Sequence, residues 1–523
     1  MARAARGRPA PAQLEDVAQL PVRSHFLLIV GVMTASLLQV LDITIANVAI
    51  PHMQSTLGAT PDTISWVLTS YIIASAVAMP ITGWLSDRIG SRRLFIWSVI
   101  GFVIASMLCG MAQNLEEMVI FRALQGVAGA FIAPLSQAAL LDTTKPSRQA
   151  SIIALWGMGV MIGPILGPVL GGWITESWSW RWVFYVNVPV GAVCIAILMA
   201  ELPSRQLLRR RFDLFGFALI AICLSCLQLL LDRGTHIDWF ASLETWIYAF
   251  LILSTAWIAV IHFSTAGDPL FDRQLFTNVN FVIALLFMVV IGMVMFATMA
   301  LLPPMLQGLF GYDVIDTGMV LMPRGVGVLI SMQLSGVLMR KGVDARWMVS
   351  LGFLVGAWSL YQMAGWSLEV DRYHFVLSGL IQGLGIGLVF IPLNATAFAT
   401  LAPHLRTDGS SLLNLPRSVG SSIGISVMMT LLARNTQTSH SDLAGHVTPA
   451  ITGMLDLSSL ERFAQYGQAG LGVLDAMVTR QAAMVAYIDD YWLMMWLSLA
   501  SVPLVLIMRK STGPAARPAP PEH

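Results

Sequence analysis

The sequence predicts an all-α integral membrane protein of fourteen transmembrane helices: two six-helix bundles with two further helices inserted between them. Composition, the length of the apolar blocks and the placement of the basic residues carry that prediction. Of the 523 residues, 56% are hydrophobic and only 11% charged, and the mean hydropathy is +0.73, whereas a soluble domain carries about a quarter charged residues. A chain so poor in charge cannot cover itself with a water-facing surface. Its apolar residues come in blocks of roughly 18 to 25, the length that crosses about 30 Å of hydrocarbon at 1.5 Å per residue.

Residues 1–25 read as a cytoplasmic tail. The first bundle, 26–200, holds apolar blocks near 26–49, 64–85, 94–112, 117–139, 150–174 and 182–200. Its first block is too long for a signal-peptide core and is expected to be a retained span. An insertion at 201–265 supplies two blocks near 214–231 and 244–263. The second bundle, 266–510, holds blocks near 279–302, 316–338, 347–366, 373–398, 410–432 and 489–508, and residues 511–523 form a second cytoplasmic tail.

Basic residues test that order, because Lys and Arg collect in the cytoplasmic loops. With the first tail inside, the inner side holds Arg3, Arg6, Arg8 and Arg23; Arg88, Arg92 and Arg93; Lys145 and Arg148; Arg205, Arg209, Arg210 and Arg211; Arg273; Arg340, Lys341 and Arg346; Arg406; and Arg509, Lys510 and Arg517. The outer side holds only Arg181, Arg233, Arg372, Arg434, Arg462 and Arg480. An even number of spans in a bacterial inner membrane, with both termini cytoplasmic, follows. Arg122, Arg324 and Arg417 are left inside spans.

The bundles read as remote copies, since Gln125-Gly126 before Ala133-Pro134-Leu135 has a counterpart in Gln382-Gly383 before Ile391-Pro392-Leu393. Such halves commonly enclose a midplane site. The inserted pair has no counterpart and is expected to sit outside the substrate path. The outer segment 433–488 contains the capping box Ser458-Ser459-Leu460-Glu461 and an amphipathic pattern from Leu474 to Ile488. A periplasmic helical hairpin that docks a partner and a solvated connecting loop are both compatible with it.

Other function classes find little support. The net charge of +1 is scattered and offers no basic face for nucleic acid. Cys109, Cys194, Cys223 and Cys226 all lie in apolar blocks, and the Cys223–Cys226 spacing has no second ligand pair, so neither a disulfide framework nor a metal site is expected. No GxxxxGK[ST] occurs for ATP.

Charge at membrane depth costs about 2.5 to 3.5 kcal/mol per residue even on lenient scales and so marks function or buried pairing. Asp42 is the carboxylate well inside a span of the first bundle. Helical rise puts Asp42 and Arg122 roughly 12 and 9 Å from the outer surface, at one level of a common cavity. A carboxylate and a guanidinium there can exchange a proton for a substrate. The alternatives are a structural hydrogen bond from Asp42 to Asn47 or the second span, and a packing role for Arg122. Gln39, Thr44, Asn47, Gln125, Asn394 and Arg417 are candidates for the surrounding polar cavity. In the fifth span Gly159, Gly163, Gly167 and Gly171 recur every fourth residue beside Gly172, Pro164 and Pro168. Small residues at that spacing let another backbone approach, and prolines bend the helix. This reads as a helix that rocks against a neighbour, or as static packing.

The motifs together resemble the major facilitator superfamily, and within it the fourteen-span drug:proton antiporter branch of the EmrB/QacA type, closest to EmrB. Residues 83–93, GWLSDRIGSRR, resemble the superfamily's signature between spans 2 and 3. Arg122-Ala-Leu-Gln125-Gly126 is similar to the span 4 signature, 159–172 to the span 5 antiporter signature, and 41–51 to the span 1 signature of the fourteen-span branch. The segments 180–184, Asn187-Val-Pro189, Leu231-Asp-Arg-Gly234 and Asp238-Trp239-Phe240 extend the resemblance over nearly the whole chain. It implies proton coupling at Asp42, a proton relay at Arg122, and bending and sealing by the span 5 glycines. It also implies a cytoplasmic gate at Asp87 and Arg88 within the loop formed by Gly83, Gly90, Arg92 and Arg93. Ser91 departs from the usual basic residue, and the second-half copy of the loop, 336–346, is degraded.

The function so implied is proton-coupled export of lipophilic and aromatic compounds by alternating access, driven by the H+ gradient without a cofactor. A periplasmic membrane-fusion adaptor and an outer-membrane channel would be its partners. A carrier of one metabolite or fatty acid, and a membrane enzyme or sensor on the same fold, are the competing readings.

Overall fold

The computed structural model describes residues 20–145, 148–204, 207, 211–234, 239–399, 401–446 and 468–508. Several expectations lie outside the described residues: the arginines at 3, 6, 8, 205, 209, 210, 462, 509 and 517, Lys510, Asp238, and the capping box at 458–461.

Among the described residues fourteen long helices follow in order: α1 His25–Thr56, α2 Trp66–Ile89, α3 Ser91–Met111, α4 Leu115–Thr143, α5 Gln149–Ser177, α6 Trp182–Glu201, α7 Leu214–Arg233, α8 Leu243–Thr265, α9 Val279–Gly308, α10 Val314–Arg340, α11 Ala345–Ala364, α12 Arg372–Ala399, α13 Arg406–His446 and α14 Gln468–Leu504. Thirteen of these are long and apolar enough to cross a membrane. The remaining one, α11, carries Trp347, Trp358, Tyr361 and Gln362, which lower its hydropathy, and packs against α12 and α14. Polar side chains start many of the helices by accepting from their free amides: Asn114 from Glu117 N at 2.8 Å, Asp213 from Gly216 N at 2.8 Å, and Asp313 from Asp316 N at 2.6 Å.

The packing repeats. In the first six helices α1 contacts α4, α5 and α6, α2 contacts α4, and α3 contacts α4 and α6. The same set recurs with eight added to each number: α9 with α12, α13 and α14, α10 with α12, and α11 with α12 and α14. The halves meet where α5 runs along α10 and where α13 lies against α2 and α4. The inserted α7 leans on α2 and α13, with Ser426 Oγ donating to Leu231 O at 2.5 Å, and α8 packs on α7 with few of its side chains buried.

The described residues of the outer segment 433–488, with whose sequence a helical hairpin and a solvated loop are both compatible, are helix. α13 has 41 residues and α14 has 37, so at 1.5 Å per residue they reach about 60 and 55 Å, twice the hydrocarbon thickness. Residues 433–446 and 468–488 are thus extensions of two spans. They are joined by His440 Nε2 to Asp475 Oδ1 at 3.0 Å and by Asn435 Nδ2 to Asp489 Oδ2 at 3.4 Å. Arg480 Nη2 ties α14 to Leu309 O, at the end of α9, at 2.7 Å.

Candidate functional site

The first half buries a charged cluster at the meeting of α1, α2, α4 and α6. Asp42 is 1% exposed and Arg122 0%. Arg122 Nη1 lies 2.6 Å from Asp42 Oδ2. Gln125 Nε2 donates to Asp42 Oδ1 at 2.9 Å, and Asn187 Nδ2 to the same oxygen at 2.8 Å. Arg122 is fixed in turn by Nε to Val67 O at 3.0 Å, by Nη1 to Gln125 Oε1 at 2.8 Å, and by the faces of Tyr71 and Phe184, whose centroids are 4.6 and 5.7 Å from its Cζ. Ser106 Oγ accepts from Asn187 Nδ2 at 2.9 Å and donates to Phe184 O at 2.9 Å.

Helical periodicity assembles the cluster. Arg122 and Gln125 are three apart and share one face of α4, while Gly126 lets that face reach α2, since a Cβ there would stand 2.4 Å from Tyr71 O. A carboxylate so enclosed is tolerable only because a guanidinium and two amides meet it; a lone buried charge would cost several kcal/mol. Among the described residues, three groups of the cluster have no hydrogen-bond partner: Arg122 Nη2, Asn187 Oδ1 and the Tyr71 hydroxyl. Protonation of Asp42 would remove the charge that holds Arg122.

The other expected residues divide. Gln39 is buried one turn before Asp42. Thr44 does not join the cluster: its Oγ1 faces α5, 3.3 Å from Gly163 O. Asn47 is exposed, and the partners of Asp42 named above take the place of the hydrogen bond expected from it. Both displacements come from helical phase, since Thr44 and Asn47 lie two and five residues after Asp42, about 200° and 140° around the helix from it. Asn394 is buried in the second half, with Nδ2 on Phe390 O at 2.8 Å. Arg417 is half-buried, with Nη2 on Asn414 Oδ1 at 2.9 Å. Neither touches Asp42.

The α5 glycines form the seat of α1. A Cβ at Gly159 would lie 2.3 Å from Met33 Cε, at Gly163 2.9 Å from Val40 Cγ1, at Gly167 2.1 Å from Thr44 Oγ1, and at Gly171 3.1 Å from Ile45 Cγ2. Gly172 is buried beside them. Pro164 and Pro168 face the other way, into a cavity of about 80 Å³ between the halves that also meets Met295, Met299, Leu321 and Arg324.

The halves are latched at the face carrying the 83–93 loop. Gly83 packs so closely on the second half that a Cβ would fall 1.3 Å from Asp408 Oδ1. Arg406 Nη1 lies 3.3 Å from Asp142 Oδ1, Asn414 Nδ2 donates to Gln137 Oε1 at 3.0 Å, Ser411 Oγ to Met79 O at 2.6 Å, and Arg340 Nη1 to Ser151 Oγ at 2.5 Å. Gly90 turns the chain from α2 into α3 at φ +94°, a conformation that requires glycine. Asp87 is half-buried, Arg88 lies over the Trp84 ring at 5.3 Å, Arg92 Nη2 holds Met199 O at 2.6 Å, and Arg93 is exposed.

Sequence reasoning missed Asn187 and Ser106 as site residues, and the latch pair Asp142–Arg406. Asn187 had a signal: an amide inside an apolar block merits the scrutiny given to a charge.

Two matching bundles, a buried ion pair and a cavity between the halves define a multi-pass membrane transporter, not an enzyme. The chain belongs to the Major Facilitator Superfamily, whose family profile matches residues 32–425. It is 33% identical to the Multidrug export protein EmrB of Escherichia coli strain K12 over 484 residues, 92% of this chain and 94% of that protein. It is 32% identical to the Fatty acid resistance protein FarB of Neisseria gonorrhoeae over 480 residues, 91% of this chain and 94% of that one. In fold it is similar to the proton:xylose symporter XylE, with a TM-score of 0.58 at 13% identity, covering 90% of this chain and 94% of the symporter.

Proposed function

We propose that the protein is a multidrug efflux transporter of the inner membrane that exchanges protons for lipophilic and aromatic compounds. The observation that carries this reading is the buried Asp42–Arg122 pair at 2.6 Å, seated in the half whose α5 glycines let α1 approach closely. Similarity to EmrB over 92% of the chain supports export as the direction. Both termini lie in the cytoplasm, so the latched face is cytoplasmic and the cluster is reached from outside.

In this cycle a proton from the outer side neutralises Asp42 and frees Arg122, whose Nη2 has no hydrogen-bond partner among the described residues. The latch then opens, and substrate enters from the cytoplasm or inner leaflet. Asp42 loses its proton inward as substrate occupies the cavity, and the pair reforms. One charge crossing 100 mV releases about 2.3 kcal/mol, and each tenfold gradient costs about 1.4 kcal/mol, so one proton sustains roughly a fifty-fold gradient of a neutral substrate. No cofactor is needed. The paired extensions of α13 and α14 serve as the docking surface for a periplasmic membrane-fusion adaptor, and through it an outer-membrane channel.

The test is reconstitution of the full chain in vesicles containing a pH dye, with ethidium and a fluorescent fatty acid as probes. Probe-driven proton movement is expected for the natural chain and its loss, with expression intact, for Asp42→Asn. Coupled transport retained by that variant would overturn the assignment.

A further inference from the structure

The repeat that relates α1–α6 to α9–α14 identifies what occupies each position of the charged cluster in the second half. Gln382 stands where Gln125 does, and its Nε2 donates to Thr298 Oγ1 at 3.2 Å, so Thr298 of α9 takes the place of Asp42. Thr298 Oγ1 in turn contacts Met494 Sδ of α14 at 3.7 Å, which puts Met494 in the place of Asn187. Gly379, three residues before Gln382, replaces Arg122. Gly383 abuts Arg324, where a Cβ would stand 2.0 Å from the Arg324 carbonyl oxygen, as Gly126 abuts Tyr71. The ion pair of the first half is therefore absent at its equivalent positions.

Its chemical groups have reappeared nearby. Arg324, in the place of Tyr71, is buried, donates from Nη2 to Met295 O at 3.0 Å, and lines the cavity between the halves. Asp490 lies one turn before Met494 on α14, is 1% exposed, and neither of its carboxylate oxygens has a hydrogen-bond partner among the described residues. It sits ten residues beyond Arg480, which is anchored at the end of α9, and so about 15 Å deeper along the helix. The ionisable and charged groups around it can be enumerated by element. Its own helix brings Asp489, Tyr487 and Tyr491. α9 has none, α11 has Tyr361 near Trp492 and Arg346 at its far end, and α13 has Arg434 beside the Asn435 that bonds Asp489, with Arg417 deeper. The Tyr491 hydroxyl is committed to Met305 Sδ at 3.2 Å. No cation among the described residues pairs with Asp490, and a buried carboxylate without a partner is among the costliest groups a protein can hold unless it carries a proton.

We propose that Asp490 is a second proton-binding site, which holds its proton in this conformation and gives it to water on the opposite face when the halves rearrange. The acid's O–H bond breaks, the electron pair stays on the carboxylate, and the proton passes to water. The transporter then carries two protons per cycle, one in each half. This rests on the proton-coupled reading above, but it is tested separately.

Infrared difference spectroscopy of the purified full-length protein reads the carbonyl stretch of a protonated carboxylic acid directly, without any substrate. A band is expected that is lost as pH is raised across neutrality, is absent in Asp490→Asn, is restored at shifted frequency in Asp490→Glu, and persists in Asp42→Asn. Asparagine mimics the neutral acid in shape, so the variant is expected to fold. A band that does not titrate, or no difference between the natural chain and Asp490→Asn, overturns the proposal. In vesicles at 100 mV, Asp490→Asn still couples through Asp42, but the gradient of a neutral fluorescent probe that it sustains falls about fifty-fold, the share of one proton; an unchanged gradient overturns it. Failure of Asp42→Asn to uncouple would refute the Asp42 assignment and leave the infrared result standing.

Discussion

Asp42→Asn and Arg122→Gln remove the two sides of one ion pair, yet the structure predicts that they damage the fold differently. Asp42→Asn leaves a guanidinium that cannot be discharged, 0% exposed, with its strongest partner gone. Breaking a buried pair from one side costs about 3–5 kcal/mol, and because arginine stays charged at any accessible pH, the loss does not vary with pH. Arg122→Gln leaves a carboxylate that can take up a proton. A proton taken up on folding makes the deficit grow by about 1.4 kcal/mol for each unit by which pH is raised. The sign follows from proton counting: the folded variant binds a proton that the unfolded chain lacks, so its stability rises as pH falls. Chemical unfolding of the purified protein at pH 5, 6 and 7 measures both. The expected outcome is a flat deficit for Asp42→Asn, a deficit for Arg122→Gln that shrinks by about 2.8 kcal/mol between pH 7 and pH 5, and a doubly substituted chain more stable than the two deficits sum to. Equal, pH-independent and additive deficits would show that the pair carries no buried charge.

Two further predictions concern motion. Gly83→Ala must displace the Asp408 carboxylate, since its Cβ would lie 1.3 Å from Oδ1 and 2.4 Å from Cγ, and a penalty of about 1.4 kcal/mol suffices to shift the latched population tenfold; a bismaleimide bridging Ser151→Cys and Arg340→Cys is expected to form at least severalfold more slowly, and an unchanged rate would refute the latch. Along the α5 seat the cost depends on what each glycine meets: Gly159→Ala touches the flexible end of Met33 at 2.3 Å and is tolerated, whereas Gly167→Ala drives into the short β-branched Thr44 at 2.1 Å and is expected to cost about 1–3 kcal/mol with transport lost. Equal activity in the two variants would remove the close α1–α5 contact from the mechanism.

The helices were legible because hydrocarbon thickness dictates their length, and Asp42 with Arg122 because charge at that depth is scarce. Their ends were less so. α1 runs to Thr56, seven residues past its expected end, because Pro51 is accommodated within the helix, and α13 and α14 continue far beyond the apolar blocks because nothing in the amphipathic stretches at 433–446 and 468–488 stops a helix. Partners within the site were harder to read. Thr44 and Asn47 are close to Asp42 in sequence but lie off its face, while Asn187 is 145 residues away and bonds to it. The latch was illegible for another reason: Asp142 and Arg406 sit at span ends, where charge is ordinary, and only the meeting of two halves makes them a pair.

The repeat supplies the remaining step. Helix pairings are conserved between the halves while the polar groups are not: Thr298 and Gly379 stand where the first half has Asp42 and Arg122. Packing of small residues constrains both halves alike, as the near-identical approach of Gly126 and Gly383 to a neighbouring carbonyl indicates, at 2.4 and 2.0 Å. Charge obeys a different constraint, because each buried ion needs either a partner or a proton. The first half meets it with a partner for Asp42. With no partner for Asp490 among the described residues, the second half leaves it only the proton, so the two halves meet the same electrostatic demand in the two available ways.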